Sequence, residues 1–493
     1  MCKLCDQGLP QDHSADHSAD HSADQFADHP TDQPTGNKGA SRRDFLKTAG
    51  IAGAAGVGAA ATLLIPGPAT AQQATAPAAT GTPGRRYVIK GGAVLSMDSA
   101  IGEFAVGDVL VDGKKIVAVG PNIDAGDADV IEADGMIVMP GFIDTHHHQF
   151  ETALRSFLAD GLLFGDGKPH DEINYFSHIL GKFAGVYRPR DVYINELFGS
   201  LSQLDAGVTT VHDISQIHHS PAHSDAAIKG IVDSGRRAAF GYFEGRGKKS
   251  DYPADARRIK KQYFSSDDQL VTMIMGGEIY LPGYDKSWAI GRELGIPIAA
   301  HIVGSLGMPK PFANLIEKKM LGPDNLFIHM TAMPDSAWQA AKDAGAGLSI
   351  AGPIEMTMRH GMPPILKAME MGITPSLSTD VECTMTADFF TQMRTMMTLQ
   401  RMQVNEMAIA KQENLPKLLT TRDVIGFATV QGAKDLKIDG KTGSLTPGKE
   451  ADIILLDATA INVAPLNHVT GAVVTLMERS NVDSVFVAGK VRK

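Results

Sequence analysis

Short apolar runs with strand character alternate with amphipathic stretches through the middle of the chain. Stretches such as SWAIGREL (287–294) and DSAWQAAKDA (335–344) lie between these runs and have a helical pattern. Eight strands with helices between them are typical of a (β/α)8 barrel, the TIM-barrel architecture. We therefore predict an α/β fold with this barrel over residues 140–439, and a doubly wound sheet is the structural alternative. The eight runs are MIVMPGFIDTHHH (136–148), GVTTVHD (207–213), RRAAFGYFE (236–244), LVTMIMGGEIY (270–280), GIPIAAHI (295–302), NLFIHM (325–330), GAGLSIAG (345–352) and GITPSLSTD (372–380).

Both ends of the chain after residue 84 are rich in strand and turn signals. Residues 87–140 contain short β-rich runs and an Asp112-Gly113 hairpin turn, which predict an antiparallel sheet of about five strands. GSLTPGKEADIILLD (443–457) and VDSVFVAGKVRK (482–493) have the same strand and turn chemistry. We predict that both ends build one composite β-sandwich, from residues 85–139 and 440–493.

The segment 1–71 has the composition of a targeting sequence. Short repeats of His, Ser and Asp (12–24) cannot bury apolar surface, which predicts a disordered n-region. The pair Arg42-Arg43, the Gly/Ala-rich stretch 48–65 and the small residues 69–71 resemble a twin-arginine (Tat) signal peptide with its cleavage site. This resemblance implies export by the Tat translocase to the periplasm or the extracellular space. Residues 72–84 are predicted to be a linker.

Charge and composition exclude several classes of partner. The chain has 46 Lys and Arg against 56 Asp and Glu residues, a formal net charge of -10. This balance argues against a nucleic-acid partner, which needs clustered basic charge. The chain has 3 cysteines, Cys2, Cys5 and Cys383, which indicate no disulfide framework. No apolar stretch after residue 71 reaches the length of a membrane helix, so we expect no stable membrane insertion after cleavage. The sequence leaves formation of a homo-oligomer open.

Polar residues stand at the ends of several predicted strands, and the carboxyl ends of barrel strands meet at one mouth, where active sites lie. His146 and His148 share one face of the first strand because side chains alternate, whereas His147 points the other way. With His301 and Asp380 from distant strands, they make a set of three nitrogen ligands and one oxygen ligand. Zn(II) and Fe(II) accept such a set and leave a position open for water. We therefore predict one divalent metal ion at the mouth.

Other side chains near the mouth leave two interpretations open. His212, at the end of the second strand, fits a hydrogen-bonded core residue and a residue of the mouth equally well. His218, His219 and His223 follow it and either line the mouth or face solvent, and we favour solvent. The methionine-rich stretch 355–362 is predicted to fill the core, with an adaptable apolar pocket wall as the alternative.

Six segments carry motifs: PGFIDTHHH (140–148), ETALRS (151–156), IPIAAH (296–301), LFIHM (326–330), LSTD (377–380) and TADFFTQMR (386–394). Together with GSLTPGKEADIILLD, they resemble the amidohydrolase superfamily, particularly its chlorohydrolases and its cytosine- or S-adenosylhomocysteine-type deaminases. The metal ligands that the resemblance implies are His146, His148, His301 and Asp380, and the electrophilic or proton-transferring histidine that it implies is His329. LVTMIMGGEIY contains no Lys that could be carbamylated to bridge two metals, which favours the one-metal subtype.

One position departs from the pattern of this branch. Its deaminases and chlorohydrolases usually carry HxxE on the fifth strand, where the Glu passes a proton to a ring nitrogen, but this chain reads HIVG and has Gly304 there. Glu151 and Glu355 are the candidates to replace that glutamate. Because Glu151 fits equally well a helical i+4 pair with Arg155, we favour Glu355 as the catalytic residue.

These observations predict an exported hydrolase with one metal ion, Zn(II) or Fe(II). It would attack a C–N bond (amide, urea, carbamate or cyclic amidine) of a small organic molecule with metal-activated water. Asp380 is expected to accept the proton of the water and His329 to stabilise the developing charge. The alternative is an aminohydrolase (deaminase) or chlorohydrolase acting on an N-heterocycle. A non-hydrolytic metal enzyme such as an isomerase and an inactive metal-loaded binding protein also remain open.

Overall fold

The structure is a computed structural model, and it describes residues 75–77, 79–165, 167 and 173–493. The predicted n-region and twin-arginine signal (1–71) lie outside the described residues, as does part of the predicted linker (72–84). The described residues belong to one compact unit. None of their helices combines the length and the apolar character that crossing a membrane requires.

Strands of the described residues form two sheets, one from residues 86–140 with 453–491 and one from residues 142–377. In chain order they are β1 (Arg86–Leu95), β2 (Glu103–Asp112), β3 (Lys115–Gly120), β4 (Asp129–Glu132), β5 (Met136–Pro140), β6 (Phe142–His147), β7 (Val208–Ser215), β8 (Arg237–Tyr242), β9 (Val271–Gly276), β10 (Ile298–Val303), β11 (Asn325–Thr331), β12 (Gly347–Ile350), β13 (Ser376–Leu377), β14 (Ile453–Asp457), β15 (Val482–Val487) and β16 (Lys490–Val491).

Helices connect the strands of the second sheet and follow it along the chain. The α-helices are α1 (Pro189–Asp205), α2 (Pro221–Ser234), α3 (Ala256–Tyr263), α4 (Tyr284–Glu293), α5 (Pro309–Glu317), α6 (Asp335–Ala344), α7 (Gly352–Thr357), α8 (Ile365–Met371), α9 (Phe389–Ile409), α10 (Thr421–Gly426), α11 (Gly432–Asp435) and α12 (Val469–Thr475). Shorter 3-10 segments are Gln149–Leu154, Ala184–Val186, Gly304–Leu306 and Arg479–Asn481, and π-helical segments are Tyr175–Phe183 and Phe427–Gln431.

Strands β6 to β13 form a parallel barrel in which each strand pairs with the next one along the chain. At least one α-helix lies between each two consecutive strands. All residues of β6 and β7 are buried, as parallel strands covered by helices require. The predicted (β/α)8 barrel is therefore confirmed. A doubly wound sheet is excluded, because its strand order reverses at a switch point.

Local signals set the ends of the helices that position these strands. Helices α6 and α8 end at Gly345 and Gly372, whose left-handed φ angles of 67° and 72° favour glycine. Helix α9 begins after Asp388, whose carboxylate accepts a hydrogen bond of 2.8 Å from the backbone N–H of Thr391. Because these helices begin and end at defined residues, their connections to the neighbouring strands are short.

The barrel closes between its first and last strands just beyond the end of β13. The backbone N–H of Asp380 donates to the His146 carbonyl oxygen at 3.0 Å, and that of His148 donates to the Asp380 carbonyl oxygen at 2.9 Å. Below this seam, the hydroxyl of Thr145 donates to the Leu377 carbonyl oxygen at 3.0 Å. The seam therefore places the backbone of Asp380 directly beside the His-rich end of β6.

The two ends of the described chain build the other sheet, with the strand order β16-β15-β14-β5-β1-β2-β3 and with β4 beside β1. Strands β14 and β5 pair antiparallel, which joins the two chain ends as predicted for a composite β-domain. This domain has a hydrophobic core of its own, to which Tyr87, Val109, Ile453 and Phe486 contribute. The expectation of an antiparallel arrangement is wrong for β4 and β5, since both are parallel to β1. The connection 121–128 crosses β1, which allows β4 to run parallel to it. The alternation of apolar and polar residues does not encode the direction of a strand.

A buried ion pair joins the barrel to the composite domain. Arg237, at the start of β8, donates to the Asp452 carboxylate at 2.6 and 3.1 Å and to the Glu450 carboxylate at 2.6 Å. Arg237 and Asp452 are each 2% exposed. The guanidinium therefore balances two carboxylates that have little contact with water.

We expect Arg237→Met to lower the free energy of unfolding by about 3–5 kcal/mol, because the buried Asp452 carboxylate loses its counter-ion, whereas Glu450 keeps Lys114 at 3.4 Å. The matched control is Arg257→Met, whose partner Glu293 lies at the surface and which should cost about 0–1 kcal/mol. Urea unfolding of both variants measures the difference. An equal loss of unfolding free energy in Arg237→Met and Arg257→Met would contradict a special role of the buried ion pair.

Candidate metal centre

Three imidazoles and one carboxylate meet at the carboxyl end of the barrel. His146 lies on β6 and His148 just beyond it, His301 lies on β10, and Asp380 follows β13. His146 Nε2 is 3.0 Å from His148 Nε2, 3.1 Å from His301 Nε2 and 3.3 Å from Asp380 Oδ1. The structure thus brings together the four residues that the sequence predicts to be metal ligands.

The hydrogen bonds of His148 and His301 fix which nitrogen of each ring faces the centre. His148 Nδ1 lies 2.9 Å from the Ile214 carbonyl oxygen, which can only accept, so Nδ1 carries the proton and Nε2 offers a lone pair. His301 Nδ1 lies 2.5 Å from Glu278 Oε1, a carboxylate oxygen that accepts, so Nδ1 carries the proton in this ring too. Converging lone pairs repel one another unless a cation lies between them. The observed spacing is close to the roughly 3.3 Å expected between nitrogens that bind one tetrahedral zinc ion. The residues therefore fit a divalent cation.

Burial and the Glu278 carboxylate set the pKa values of these groups. It lowers the pKa of His146 and of His148 well below the usual value, and the neighbouring charge of His301 lowers both further. Burial alone would also lower the pKa of His301, but the Glu278 carboxylate raises it above the usual value. Burial raises the pKa of Asp380 to about 7, with His301 opposing the shift. Neutral imidazoles are the form in which histidine binds metals.

His329 lies beside this cluster at the end of β11, with a left-handed φ of 73°. Its Nδ1 is 2.9 Å from Glu355 Oε1, and its Nε2 is 3.7 Å from Asp380 Oδ2. Glu355 lies behind the imidazole in the first turn of α7, where its carboxylate also accepts a hydrogen bond from the Ala351 N–H at 2.9 Å. Glu355 therefore contacts the far side of His329, where it sets the orientation of the ring.

Glu151 and Arg155 do not form the helical pair that the sequence allows. Arg155 binds the Glu382 carboxylate at 3.0 and 3.1 Å, because the segment after His148 is a short 3-10 turn. Glu151 is fully buried and accepts a hydrogen bond from the Tyr175 hydroxyl. Burial raises the pKa of Glu151 to about 8.

Gly304 has no room for a side chain. A Cβ atom there would lie 2.1 Å from the carbonyl oxygen of Ala332. That oxygen lies so close because β11 leaves the regular strand conformation after His329, with left-handed φ angles at Met330 (55°) and Ala332 (52°). The chain therefore lacks the glutamate of HxxE and also the space in which such a side chain would begin.

The other histidines of the second strand and its loop are buried or bonded to the backbone. His212 Nδ1 lies 2.9 Å from the Thr145 carbonyl oxygen, and this side chain stands outside the ligand cluster. The preference for solvated loop histidines is wrong: His218 is 1% exposed, and His219 and His223 lie 2.9 Å from the carbonyl oxygens of Ala184 and Tyr187. The segment 184–187 covers this loop, a contact between distant residues that local polarity does not indicate.

A cavity opens beside the ligand cluster. Its polar lining consists of His148, Gln216, His301, His329, His360 and Asp380, together with Tyr175 and Tyr280. Its apolar walls are formed by Leu163, Phe176, Leu180, Val303, Leu306, Met308, Met358 and Val381. One methionine of the stretch 355–362 thus lines the cavity, which is the alternative that the sequence left open.

Sequence reasoning missed two residues of the site. Glu278, which holds His301, comes just after β9 and is fully buried. His360 lies between helices α7 and α8, in the connection from β12 to β13, and is 5% exposed. A histidine in the connection that follows a strand on the catalytic side of a barrel is a signal that could have found His360.

We expect Glu278→Gln to weaken metal affinity about 10- to 100-fold, because the variant loses the charge that orients His301 and raises its basicity. Competition with a chromophoric chelator measures the affinity. Glu293→Gln, at an exposed carboxylate on α4, is the matched control and should bind metal as the wild type does. Unchanged affinity in Glu278→Gln would contradict the role of this carboxylate.

Solved structures of other proteins share this fold. A zinc-bound adenosine deaminase from Xanthomonas campestris superposes with a TM-score of 0.71 at 21% identity, covering 82% of this chain and 92% of that one. A zinc complex of atrazine chlorohydrolase from Arthrobacter aurescens TC1 gives a TM-score of 0.69 at 22% identity, covering 82% and 94%.

Curated relatives match along most of the chain. The 5′-deoxyadenosine deaminase of Methanosarcina mazei is 26% identical over 424 residues, which cover 82% of this chain and 92% of the relative. The 5-methylthioadenosine/S-adenosylhomocysteine deaminase of Desulforamulus reducens is 23% identical over 430 residues, which cover 82% and 93%. Residues 137–492 match the model of the amidohydrolase family. This match spans more than half of the sequence, and the chain therefore belongs to the amidohydrolase family.

Proposed function

We propose that this protein hydrolyses a C–N bond of a small uncharged molecule and that one divalent cation, Zn(II) or Fe(II), serves the reaction. The proposed ligands are His146, His148, His301 and Asp380. The observation that carries this proposal is the convergence of three Nε2 atoms and one carboxylate beside an apolar cavity. The zinc named for solved structures of the same fold supports a metal of this kind.

A divalent cation supplies a Lewis acid that makes water a nucleophile near neutral pH. The Asp380 carboxylate, 3.7 Å from His329 Nε2, is placed to accept the proton of the attacking water. His329 is held at Nδ1 by Glu355 and turns Nε2 toward the cavity side of Asp380. In that position Nε2 can take up a proton, and the N–H group so formed stabilises negative charge that develops on the attacked group.

The cavity supports an uncharged substrate. Among the described residues, no Lys or Arg lines it, so apart from the proposed cation no side chain offers a positive charge to a carboxylate or a phosphate. Phe176 and Tyr175 supply aromatic surface, and Met308 and Met358 supply adaptable apolar surface. Amides, ureas, carbamates and cyclic amidines of modest size fit this description.

A second candidate is an aminohydrolase or chlorohydrolase that acts on an N-heterocycle. The names of the relatives, a 5′-deoxyadenosine deaminase and a methylthioadenosine deaminase, favour it. The blocked position at Gly304 counts against the proton route that the resemblance implies for such rings. Release of ammonia from a heterocyclic amine would favour this candidate over amide hydrolysis.

A hydrolysis screen on the zinc-loaded protein tests the proposal. The panel contains 5′-deoxyadenosine, an aminotriazine, simple amides, ureas and carbamates, with adenosine 5′-monophosphate as a charged control. We expect turnover of an uncharged member, loss of that turnover with a chelator, and its return with Zn(II) or Fe(II). A metal-independent reaction, or a reaction that consumes no water, would overturn the proposal, and so would metal binding without any turnover.

We also propose that residues 1–71 act as a twin-arginine signal and direct the folded protein through the Tat translocase to the periplasm or beyond. The Arg42-Arg43 pair and the small residues 69–71 support this. The variant Arg42→Lys with Arg43→Lys keeps the charge and should abolish export, whereas Arg85→Lys, outside the signal, should leave it intact. Cell fractionation measures the exported share. Export of the double variant at the wild-type level would refute the signal.

A further inference from the structure

His360 is a buried histidine in the catalytic cavity that the chemistry described so far leaves without a role. Its ring stacks on His329, with the centroids 4.6 Å apart and the planes 30° from parallel. The ring lines the cavity, and its buried Nδ1 has no hydrogen-bond partner among the described residues. An unpaired buried nitrogen costs free energy and is retained where it meets a ligand.

The backbone around His360 is shaped to hold this ring in the cavity. Arg359 has a left-handed φ of 61°, which is unfavourable for a side chain of its size, and Gly361 has a φ of 134°, which favours glycine. The Ser305 hydroxyl donates to the His360 carbonyl oxygen at 3.2 Å. This hydrogen bond places the His360 loop against the segment that begins at Gly304, the position without room for a side chain.

Hydrolysis of a C–N bond needs a proton on the departing nitrogen, and few groups of the cavity can supply it. His148 and His301 direct Nε2 to the ligand cluster and use Nδ1 in hydrogen bonds. The Tyr175 hydroxyl donates to Glu151, and Tyr280 lies at the mouth, where it is 37% exposed. Among the described residues that line the cavity, His360 is the imidazole that neither joins the ligand cluster nor binds a carboxylate.

We propose that His360 is a catalytic residue that delivers a proton to the leaving nitrogen, an inference that rests on the proposed C–N hydrolysis. In this proposal, His360 serves the function that the HxxE glutamate would serve. The His360 loop packs against the segment that begins at Gly304. His329 and Asp380 then act on the attacking water, and His360 acts on the leaving group.

The protons balance in this scheme. The Asp380 carboxylate takes one proton from the attacking water as the new C–O bond forms. Burial lowers the pKa of His360 to about 4, so the ring starts as a neutral imidazole. The Asp380 carboxyl group gives its proton to this imidazole. The N–H bond formed in that transfer breaks as an N–H bond forms on the leaving nitrogen and the C–N bond breaks, which returns both residues to their starting states.

Leaving groups that need no proton separate this role from a structural one. Three matched pairs of probes serve: 5′-deoxyadenosine and its 6-chloro analogue, an aminotriazine and the corresponding chlorotriazine, and an N-alkyl carbamate that releases an amine and a p-nitrophenyl carbamate. In each pair the second leaving group departs as a stable anion. We expect His360→Gln to lower kcat for the amine member about 100-fold and to leave the other member within a few-fold of the wild type.

Controls keep the outcomes distinct. Metal content and Tm of His360→Gln are measured beside those of the wild type, and His223→Gln removes a histidine outside the cavity. Added imidazole should restore turnover of the amine member in His360→Ala, which only a missing proton donor explains. Equal losses on both members of a pair, or no rescue by imidazole, would overturn the role of His360 alone. No hydrolysis of any pair by the zinc-loaded wild type would overturn the proposed function together with this inference.

Discussion

Asp380→Asn is expected to lower kcat about 10²- to 10⁴-fold, the range for loss of a group that transfers a proton in the transition state. The carboxylate lies 3.3 Å from His146 Nε2 and 3.7 Å from His329 Nε2, so it faces both the ligand cluster and the proton-transferring histidine. An amide keeps an oxygen that can bind a metal but cannot store the proton of water. Much of the metal should therefore remain, because three imidazoles still converge.

Steady-state kinetics on the best substrate of the screen, together with the metal-to-protein ratio by mass spectrometry, measure this result. Asp335→Asn is the matched control, since its carboxylate binds Lys367 at the surface and should leave kcat unchanged. Full turnover by metal-loaded Asp380→Asn would remove this carboxylate from the proton path.

His146→Ala should lose the metal and with it all measurable turnover. The Nε2 of His146 is within 3.3 Å of ligand atoms of His148, His301 and Asp380, so it is central to the cluster. We expect affinity to fall by more than the about 10- to 100-fold that an outer partner of a ligand contributes. The variant should also lose the increase in Tm that metal binding gives to the wild type.

Metal analysis and thermal unfolding with and without Zn(II) test this expectation. The control is His223→Ala, which removes a histidine of α2 that lies 2.9 Å from the Tyr187 carbonyl oxygen. A His146→Ala protein with one metal per chain and an unchanged metal-dependent Tm would show that the cation binds elsewhere.

The barrel and the convergence of the four predicted ligands were accessible from the sequence because they depend on local patterns. Each barrel strand is a short apolar run, and each predicted ligand stands at the end of such a run. The alternation of side chains along one strand also places His146 and His148 on the same face. The sequence is sufficient to predict features that follow from the periodicity of apolar residues and from the residues at strand ends.

The rest of the site depends on contacts between distant segments, which no local pattern encodes. Glu278 matters because β9 lies beside β10, which brings its carboxylate to His301. His360 enters the cavity because its loop packs on Ser305. The sequence predicted Glu355 as the catalytic residue in place of the HxxE glutamate, but the fold places it behind His329. The direction of β4 and β5 was hidden for the same reason.

The seam that closes the barrel also decides when a cation can be captured. One backbone stretch provides both the last hydrogen bonds of the barrel and the carboxylate of the cluster, and it lies 234 positions after His146. A nascent chain that does not yet include this stretch has the three imidazoles of the ligand cluster but lacks the Asp380 carboxylate. At the proposed metal centre, capture of the ion therefore follows synthesis of nearly the entire barrel, and we expect a chain truncated before residue 380, which cannot close the barrel, to remain metal-poor.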